Sequence, residues 1–295
     1  MKLNYALDMA IMRHELRTEP TITAGYKIGS AYYENYMSNE SWDAFKALMK
    51  AENKKAYQNY CAGGGKELEK RRVGANIYPP KMASFGSSSR MIYNIMKSNP
   101  NFLFELKLPT KIGGIANLDG FIETDGKCVF VEAKCREPYT KRSSKISDRY
   151  ASFYDYLSQS NNNNLHCSIK GIDKFEVNFF ADGEYIQQFD IKQMLCHLLG
   201  IALAYLEGTY NKPIEFIYLL YNPMQLVFET DEEREAIINT YARECFERDC
   251  IDFKGVFFDT LKYLQTNYNI GADKDINKIT EFFSFQVYDQ HTMRI

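Results

Sequence analysis

The most constraining feature of this sequence is the segment 115–139, which reads IANLDGFIETDGKCVFVEAKCREPY. Two largely apolar runs, 116–123 and 127–133, flank the dipeptide Asp125-Gly126. This pattern predicts a β-hairpin, because a two-residue type I′ turn needs positive φ at both central positions and Asp-Gly tolerates it. The rest of the chain has to be arranged around this hairpin.

The predicted turn also fixes which residues of the two strands face each other. Facing residues have numbers that add up to 251, so Asp119 faces Glu132 and Asn117 faces Lys134. Because side chains alternate along a strand, Asp119, Glu132 and Lys134 are expected on one face. The other face is expected to be apolar and to pack on a core, and it consists of Leu118, Gly120, Ile122, Val129, Val131 and Ala133.

The facing carboxylates of Asp119 and Glu132 need a physical explanation. Their Cβ atoms would lie about 5 Å apart, and like charges in this position destabilise a sheet. A divalent cation between them removes the repulsion, and Mg²⁺ typically takes one or two carboxylates and keeps several waters. Lys134 lies roughly 7 Å along the strand from Glu132, so its ammonium can reach the same volume. The alternative is an exposed hairpin edge whose charges are simply solvated.

Asp119 followed, after a hairpin, by Glu132-Ala133-Lys134 resembles the motif of the PD-(D/E)XK nuclease superfamily, which has the restriction-endonuclease-like fold. The resemblance implies that Asp119 and Glu132 bind Mg²⁺, with Mn²⁺ as a substitute, and that the backbone carbonyl of Ala133 completes the metal shell. It also implies that Lys134 positions or activates the attacking water. Leu118 stands where the name-giving motif has proline. The resemblance covers roughly residues 86–222 and says little about either end of the chain.

Composition excludes several classes of protein. The chain has 295 residues, 45% of them hydrophobic and 25% charged, as expected for a globular protein with one large domain or one domain with an elaboration. No apolar run approaches the length of a membrane span and no signal peptide is recognisable, so no membrane partner is expected. The seven cysteines are scattered and form no C-x₂-C pair, which favours a reducing cytoplasm over a disulfide framework.

The net charge of −2 means that a nucleic-acid-binding surface would have to be local. The first candidate begins at the motif itself and contributes the expected DNA-binding residues Arg136, Lys141, Arg142 and Lys145. The second is the run KELEKRR at 66–72. Either run is equally compatible with a solvated surface.

The order of predicted elements gives the fold class. A helix at 87–97, a strand at 102–108, the central hairpin, a helix at 191–206 and a buried strand at 215–221 predict an α/β protein. Its core would be a mixed β-sheet in the order αβββαβ, flanked by helices, as in the restriction-endonuclease-like fold. Helices predicted at 3–17, 29–37 and 42–61 make the N-terminal elaboration helical. The predicted regions are a helical region at 1–85, a nuclease core at 86–225 and a C-terminal α/β extension at 226–295.

Five further residues are candidates for accessory roles. Glu105 precedes the hairpin on a strand and is a candidate third acid at the metal. The helix at 87–97 lacks the acid that many members of the superfamily carry there, so Glu34 or Glu69 could substitute for it. Gln193 and His197 share one face of the helix at 191–206, a loose match to a glutamine motif of exonuclease-like members.

The resemblance implies a Mg²⁺-dependent endonuclease that hydrolyses phosphodiester bonds of DNA, of the restriction or defence type. An exonucleolytic or structure-specific repair nuclease of the same fold is an alternative. A non-catalytic DNA-binding or interaction module is an alternative of another class. Dimers are common in the family, so a homodimer is an open expectation.

Overall fold

A mixed β-sheet with helices on both faces carries the predicted hairpin. The computed structural model describes residues 2–63, 67–140, 144–171 and 175–293. Within them the helices are α1 Leu3–Thr18, α2 Asn39–Glu52, α3 Lys54–Ala62, α4 Ser88–Met96, α5 Ala151–Gln159, α6 Ile191–Leu206, α7 Asp231–Asp249, α8 Phe253–Tyr268 and α9 Ile276–Glu281. The strands are β1 Ala24–Ile28, β2 Ala31–Met37, β3 Arg71–Val73, β4 Asn76–Tyr78, β5 Leu103–Pro109, β6 Ile115–Glu123, β7 Cys128–Lys134, β8 Lys145–Ile146, β9 Leu165–Lys170, β10 Phe175–Ala181, β11 Glu184–Ile186, β12 Ile214–Leu220 and β13 Phe283–Asp289.

The main sheet has five strands in the order β13-β12-β7-β6-β5. β12 runs parallel to both β7 and β13, whereas β5, β6 and β7 form antiparallel pairs. The mixed α/β architecture is therefore confirmed, and the predicted order of helix, three strands, helix and strand is present as α4, β5, β6, β7, α6 and β12. Strands β8 to β11 form a second, smaller sheet after the hairpin.

The two faces of the main sheet pack against two hydrophobic clusters. On β7, Cys128 and Phe130 belong to the cluster around α6 and α8, while Val129 and Val131 belong to the cluster around α1 and α4. Every residue of β7 and of β12 is buried, which explains their continuous apolar runs. The predicted central position of the EFIYLLY strand is confirmed, because β12 lies between β7 and β13.

The hairpin has the predicted register but a different turn. Gly120 pairs with Val131 and Ile122 with Val129, so the facing numbers add up to 251 as expected. Neither Asp125 nor Gly126 is among the residues with positive φ, so the prediction of a type I′ turn is wrong. Instead, the turn is closed by Thr124, whose N–H donates to the Lys127 carbonyl (2.9 Å) and whose Oγ1 accepts from the Lys127 N–H (3.1 Å).

The predicted apolar face of the hairpin is confirmed for Ile122, Val129, Val131 and Ala133 but wrong for Leu118, because two strands switch faces in mid-course. On β5, Phe104 packs in the cluster around α4 but Leu106, two residues later, packs in the cluster around α6. Glu105 between them has a φ of +59°, and the β5–β6 ladder skips Glu105 and the opposite Asp119. On β6, Leu118 and Ile122 consequently lie on opposite faces. A non-glycine residue with this φ costs of the order of 1–3 kcal/mol, and such strain is typical of functional sites.

The N-terminal elaboration is not purely helical. The segment predicted as a helix at 29–37 forms the β1–β2 hairpin, in which Ile28 pairs with Ala31 across Gly29 at φ +58°. Its three tyrosines, Tyr32, Tyr33 and Tyr36, fit a pleated strand better than a helix. The single helix predicted at 42–61 is split into α2 and α3, because Asn53 ends the first and caps the second by accepting from the Ala56 N–H (2.9 Å).

Residues 1–85 contribute to the same hydrophobic cluster as the main sheet. Side chains of α1, such as Leu7, share one hydrophobic cluster with Val131 of β7. The boundaries predicted at 85 and 225 remain predictions. None of the helices in the described part of the chain is long and apolar enough to cross a membrane.

Gly120 and Gly126 provide a paired test of this description of the hairpin. A Cβ on Gly120 would lie 2.0 Å from Cζ of Phe102, whereas a Cβ on Gly126 would meet nothing within 4 Å. We expect Gly120→Ala to lower the free energy of unfolding by about 1–3 kcal/mol, the usual cost of overpacking. Gly126→Ala should change it by less than about 0.5 kcal/mol. Urea unfolding of both variants measures the difference. A large loss of stability for Gly126→Ala would support the predicted type I′ turn, in which Gly126 needs a positive φ.

Candidate active site

Asp119, Glu132 and Lys134 converge on one cavity of about 250 Å³ at the carboxyl end of β7. The cavity lies where β6 leaves the ladder with β7, whose last pair is Gly120 with Val131. Its walls come from the hairpin, from the start of α4, from α6 and from the chain around β3 and β4. The lining residues are Glu67, Lys81, Gly86, Ser87, Ser88, Ser89, Asp119, Glu132, Ala133, Lys134, Arg136, Glu137 and Gln193.

Glu132 and Lys134 form a buried ion pair on β7. Their side chains are 1% and 5% exposed, and the Lys134 ammonium donates to Glu132 Oε1. Gln193 of α6 ties the pair together, since its Nε2 donates to Glu132 Oε1 (2.7 Å) and its Oε1 accepts from Lys134 Nζ (2.7 Å). His197, one helical turn later, places Nε2 2.9 Å from Glu132 Oε2, although Oε2 and the ring nitrogens have no aligned hydrogen-bond partner among the described residues.

This network fixes the charges of the pair. Burial raises the pKa of Glu132, but the charges of Lys134 and His197 outweigh it and bring the pKa to about 2. Burial lowers the pKa of Lys134, but the neighbouring carboxylates, Glu132 first, leave it above its usual value. Both groups are therefore ionised at neutral pH. The Lys134 ammonium already supplies positive charge next to Glu132, so the facing acids alone do not demand a metal.

Asp119 is in a different situation. Its Oδ2 accepts a hydrogen bond from the Ala133 N–H (2.8 Å), and no described cation forms a salt bridge with it. Burial, together with the charge of Glu132, raises the pKa of Asp119 well above its usual range. In an extended strand the N–H and C=O of one residue point to the same side, so the Ala133 carbonyl also points towards the Asp119 side.

Glu105 lies near Asp119 but does not line the cavity, so its role as a third carboxylate at the metal stays a prediction. It faces Asp119 across the break in the β5–β6 ladder. Its pKa is raised to about 7, mainly by burial and next by the charge of Glu67. A Cβ on Gly63 would lie 3.0 Å from Glu105 Oε2, so the end of α3 covers this carboxylate.

The sequence analysis missed two features of the cavity wall. Lys81 Nζ lies 2.8 Å from Glu67 Oε1, and both residues line the cavity. At the start of α4, Ser88 Oγ donates to both oxygens of Glu137 (2.9 Å each). Glu137 could have been found from its position three residues after Lys134. The Glu67–Lys81 pair has no local sequence signal.

Several predicted residues lie elsewhere. Neither Glu34 nor Glu69 lines the cavity, which corrects their candidacy as metal ligands: both are exposed, and Glu34 on β2 accepts a hydrogen bond from Tyr5. Glu67 lines the cavity, whereas Glu69, two residues later, is exposed. The sequence alone does not distinguish these two glutamates.

The predicted DNA-binding residues are dispersed. Arg136 lines the cavity but pairs with the buried Asp8 (3.0 Å). Lys145 is exposed on β8, opposite Glu176 and outside the cavity. Lys141 and Arg142 lie outside the described residues.

The donor set fits Mg²⁺ only in part. Among the described residues, no group of three or more His, Cys, Asp or Glu is arranged to hold a metal ion. Asp119 and Glu132 nevertheless offer hard oxygen donors next to the Ala133 carbonyl, and Mg²⁺ is commonly held by one or two carboxylates with water completing its shell. Glu132 Oε2, buried without an aligned donor, is an acceptor that a cation could satisfy.

Comparison of the chain with protein-family models, with curated proteins and with solved structures gave no match.

The raised pKa of Glu105 predicts a pH dependence of stability. A carboxyl group that binds its proton more tightly in the folded state stabilises the fold at low pH, and this contribution is lost as pH rises from about 4.5, its usual pKa, to about 7. Glu105→Gln should therefore remove a loss of unfolding free energy of the order of 3 kcal/mol over this interval. Urea unfolding in EDTA between pH 4 and pH 8 measures it, with the exposed Glu69→Gln as control. Parallel profiles for wild type and Glu105→Gln would contradict it.

Proposed function

We propose that this chain is a Mg²⁺-dependent DNA endonuclease with a restriction-endonuclease-like core, acting in restriction or defence in the cytoplasm. One observation carries the proposal: two carboxylates and a lysine from adjacent strands, Asp119, Glu132 and Lys134, meet in one cavity. The strained backbone at Glu105, opposite Asp119, supports it, because strain of this kind accumulates at functional sites.

The chemistry follows from the charges of the site. Asp119, Glu132 and the Ala133 carbonyl would hold Mg²⁺, which when bound supplies positive charge for the non-bridging and leaving oxygens of the scissile phosphate. Lys134 keeps its proton at neutral pH because its pKa is raised, so it serves as a donor and a cation and not as a general base. It orients the water that attacks phosphorus in line and stabilises the negative charge that develops.

Gln193 has a supporting role in this scheme. By bonding Glu132 with its amide nitrogen and Lys134 with its oxygen, it holds both side chains in one orientation. Preorganised donors of this kind do not have to reorient during the reaction, which is the source of their catalytic effect.

The first test is cleavage of plasmid DNA with Mg²⁺ or Mn²⁺. Wild type should nick or cut the DNA and be inactive in EDTA, and Asp119→Asn should be at least ~10²-fold slower, because it removes a charged group at the reacting centre. The control is Asp125→Asn, the same substitution at the exposed tip of the same hairpin. Equal rates for Asp119→Asn and wild type would mean that the activity comes from another site or from a contaminant.

The second test does not depend on the substrate. Mg²⁺ that binds the folded state raises the melting temperature, with a stabilisation of about 2.7 kcal/mol at 100 times Kd. We expect this shift for wild type and for Asp125→Asn, and a much smaller one for Asp119→Asn. Without metal, Asp119→Asn should be at least as stable as wild type, since it removes a buried charge next to Glu132 and keeps an oxygen for the Ala133 N–H.

Equal Mg²⁺ shifts for wild type and Asp119→Asn, with the latter clearly destabilised in EDTA, would make Asp119 a structural residue. The metal site would then have to be sought elsewhere.

A further inference from the structure

A small projecting hairpin begins and ends at the wall of the cavity. Residues 68–80, here called the β3–β4 arm, leave the wall at Glu67 and return to it at Lys81. The Glu67–Lys81 ion pair (2.8 Å) and a hydrogen bond from the Met82 N–H to the Glu67 carbonyl (3.2 Å) close its base. The position of the arm is therefore tied directly to the cavity.

The arm is a β-ribbon of two three-residue strands. Val73 pairs with Asn76 across a two-residue turn in which Gly74 has a φ of +60° and Ala75 does not have a positive φ, the pattern of a type II′ turn. An isolated hairpin of this size is marginally stable in water. It is braced from β2 by Tyr33, whose hydroxyl donates to the Ile77 carbonyl (3.0 Å).

The tip of the arm is apolar and exposed. Val73 is 60% exposed and Ile77 37% exposed, and they lie on opposite faces of the ribbon, since Val73 pairs with Asn76 and Ile77 with Arg72. These side chains contribute little to the protein's own core. Single exposed apolar side chains are common on protein surfaces, so these two indicate a contact with a partner only together with the charge of the arm.

The sides of the arm are basic. Within the arm, Lys70, Arg71 and Arg72 stand against the single acid Glu69, in a chain whose net charge is −2. None of the three cations forms a salt bridge with a described residue; Lys70 and Arg71 lie over tyrosine rings at 5.9 Å. The Nε–H of Arg71 is buried without a hydrogen-bond partner among the described residues.

We propose that the β3–β4 arm is the element that docks duplex DNA next to the cavity. A two-stranded β-ribbon fits the major groove of B-DNA, which is about 12 Å wide. The arginines then contact phosphates, and Val73 and Ile77 enter the groove. This inference rests on the proposed nuclease function, because the cavity at the base of the arm is the site that would act on the bound DNA.

The test is binding of a labelled 30-base-pair duplex in EDTA, measured by fluorescence anisotropy at several salt concentrations. Replacing Arg71 and Arg72 together with glutamine should weaken binding roughly 10- to 100-fold at 0.1 M salt, since each phosphate contact adds about 0.9 to the log–log salt slope. The slope should fall by about 1.8. Val73→Ser with Ile77→Ser should weaken binding and leave the slope unchanged.

The matched control removes two exposed lysines of α8, Lys254 and Lys262, by the same glutamine substitution. It should bind DNA as wild type does. Melting temperatures of all variants verify that they are folded.

The outcomes separate the two proposals. If wild type cuts and binds DNA but both arm variants keep its affinity and slope, the arm does not dock DNA, and its apolar tip serves another partner such as a protein. If Asp119→Asn binds DNA with wild-type affinity and slope but does not cut it, the site and the arm have the separate roles proposed here. If wild type neither binds nor cuts DNA, the nuclease proposal fails and the inference about the arm fails with it.

Discussion

The buried ion pair of Glu132 and Lys134 is the interaction on which the arrangement of the site depends. Two charges at 1% and 5% exposure lose most of their hydration, and such a pair is favourable only when further hydrogen bonds complete it. Gln193 provides these bonds to both partners, and His197 adds a second contact to Glu132. The position of α6 against the end of β7 is therefore constrained by polar contacts as well as by apolar packing. Replacement of a buried ion pair by apolar residues of similar volume is often neutral or stabilising, so the presence of this pair points to a use other than stability.

The switch of faces on β5 and β6 explains how the second carboxylate reaches the same cavity. If β6 had stayed paired with β7 beyond Gly120 and Val131, Asp119 and Glu132 would have formed a simple cross-strand pair. Instead, the ladder skips Glu105 and Asp119, and Asp119 turns to accept from the Ala133 N–H. The break leaves Glu105 with a φ of +59° and a largely buried carboxyl group. Strain and burial of charge thus occur at one point of the sheet, next to the proposed reacting centre.

The hairpin register and the start of α6 could be predicted from the sequence, whereas the face switch and the Glu67–Lys81 pair could not. The hairpin register follows from the spacing of two strands around a two-residue turn, and the start of α6 follows from Asp190, whose carboxylate accepts from the Gln193 N–H. The face switch has no such signal, because Phe104, Glu105 and Leu106 alternate as in any half-buried strand. The Glu67–Lys81 pair is brought together only by the intervening arm.

The charge balance of the cavity connects its two proposed partners, the metal and DNA. Of the lining carboxylates, Glu67 and Glu132 are paired with Lys81 and Lys134, whereas Asp119 and Glu137 form no salt bridge with a described cation. Arg136, the third lining cation, is used by Asp8 behind the wall. When Asp119 is ionised, the four lining carboxylates outnumber the three lining cations, and without further positive charge the cavity repels a phosphate. A divalent cation at Asp119 reverses this locally, but it adds charge only where the reaction takes place. Affinity for the rest of a DNA duplex has to come from cations outside the cavity. Arg71 and Arg72 form no salt bridge with a described residue, and the arm that carries them begins and ends at the cavity wall.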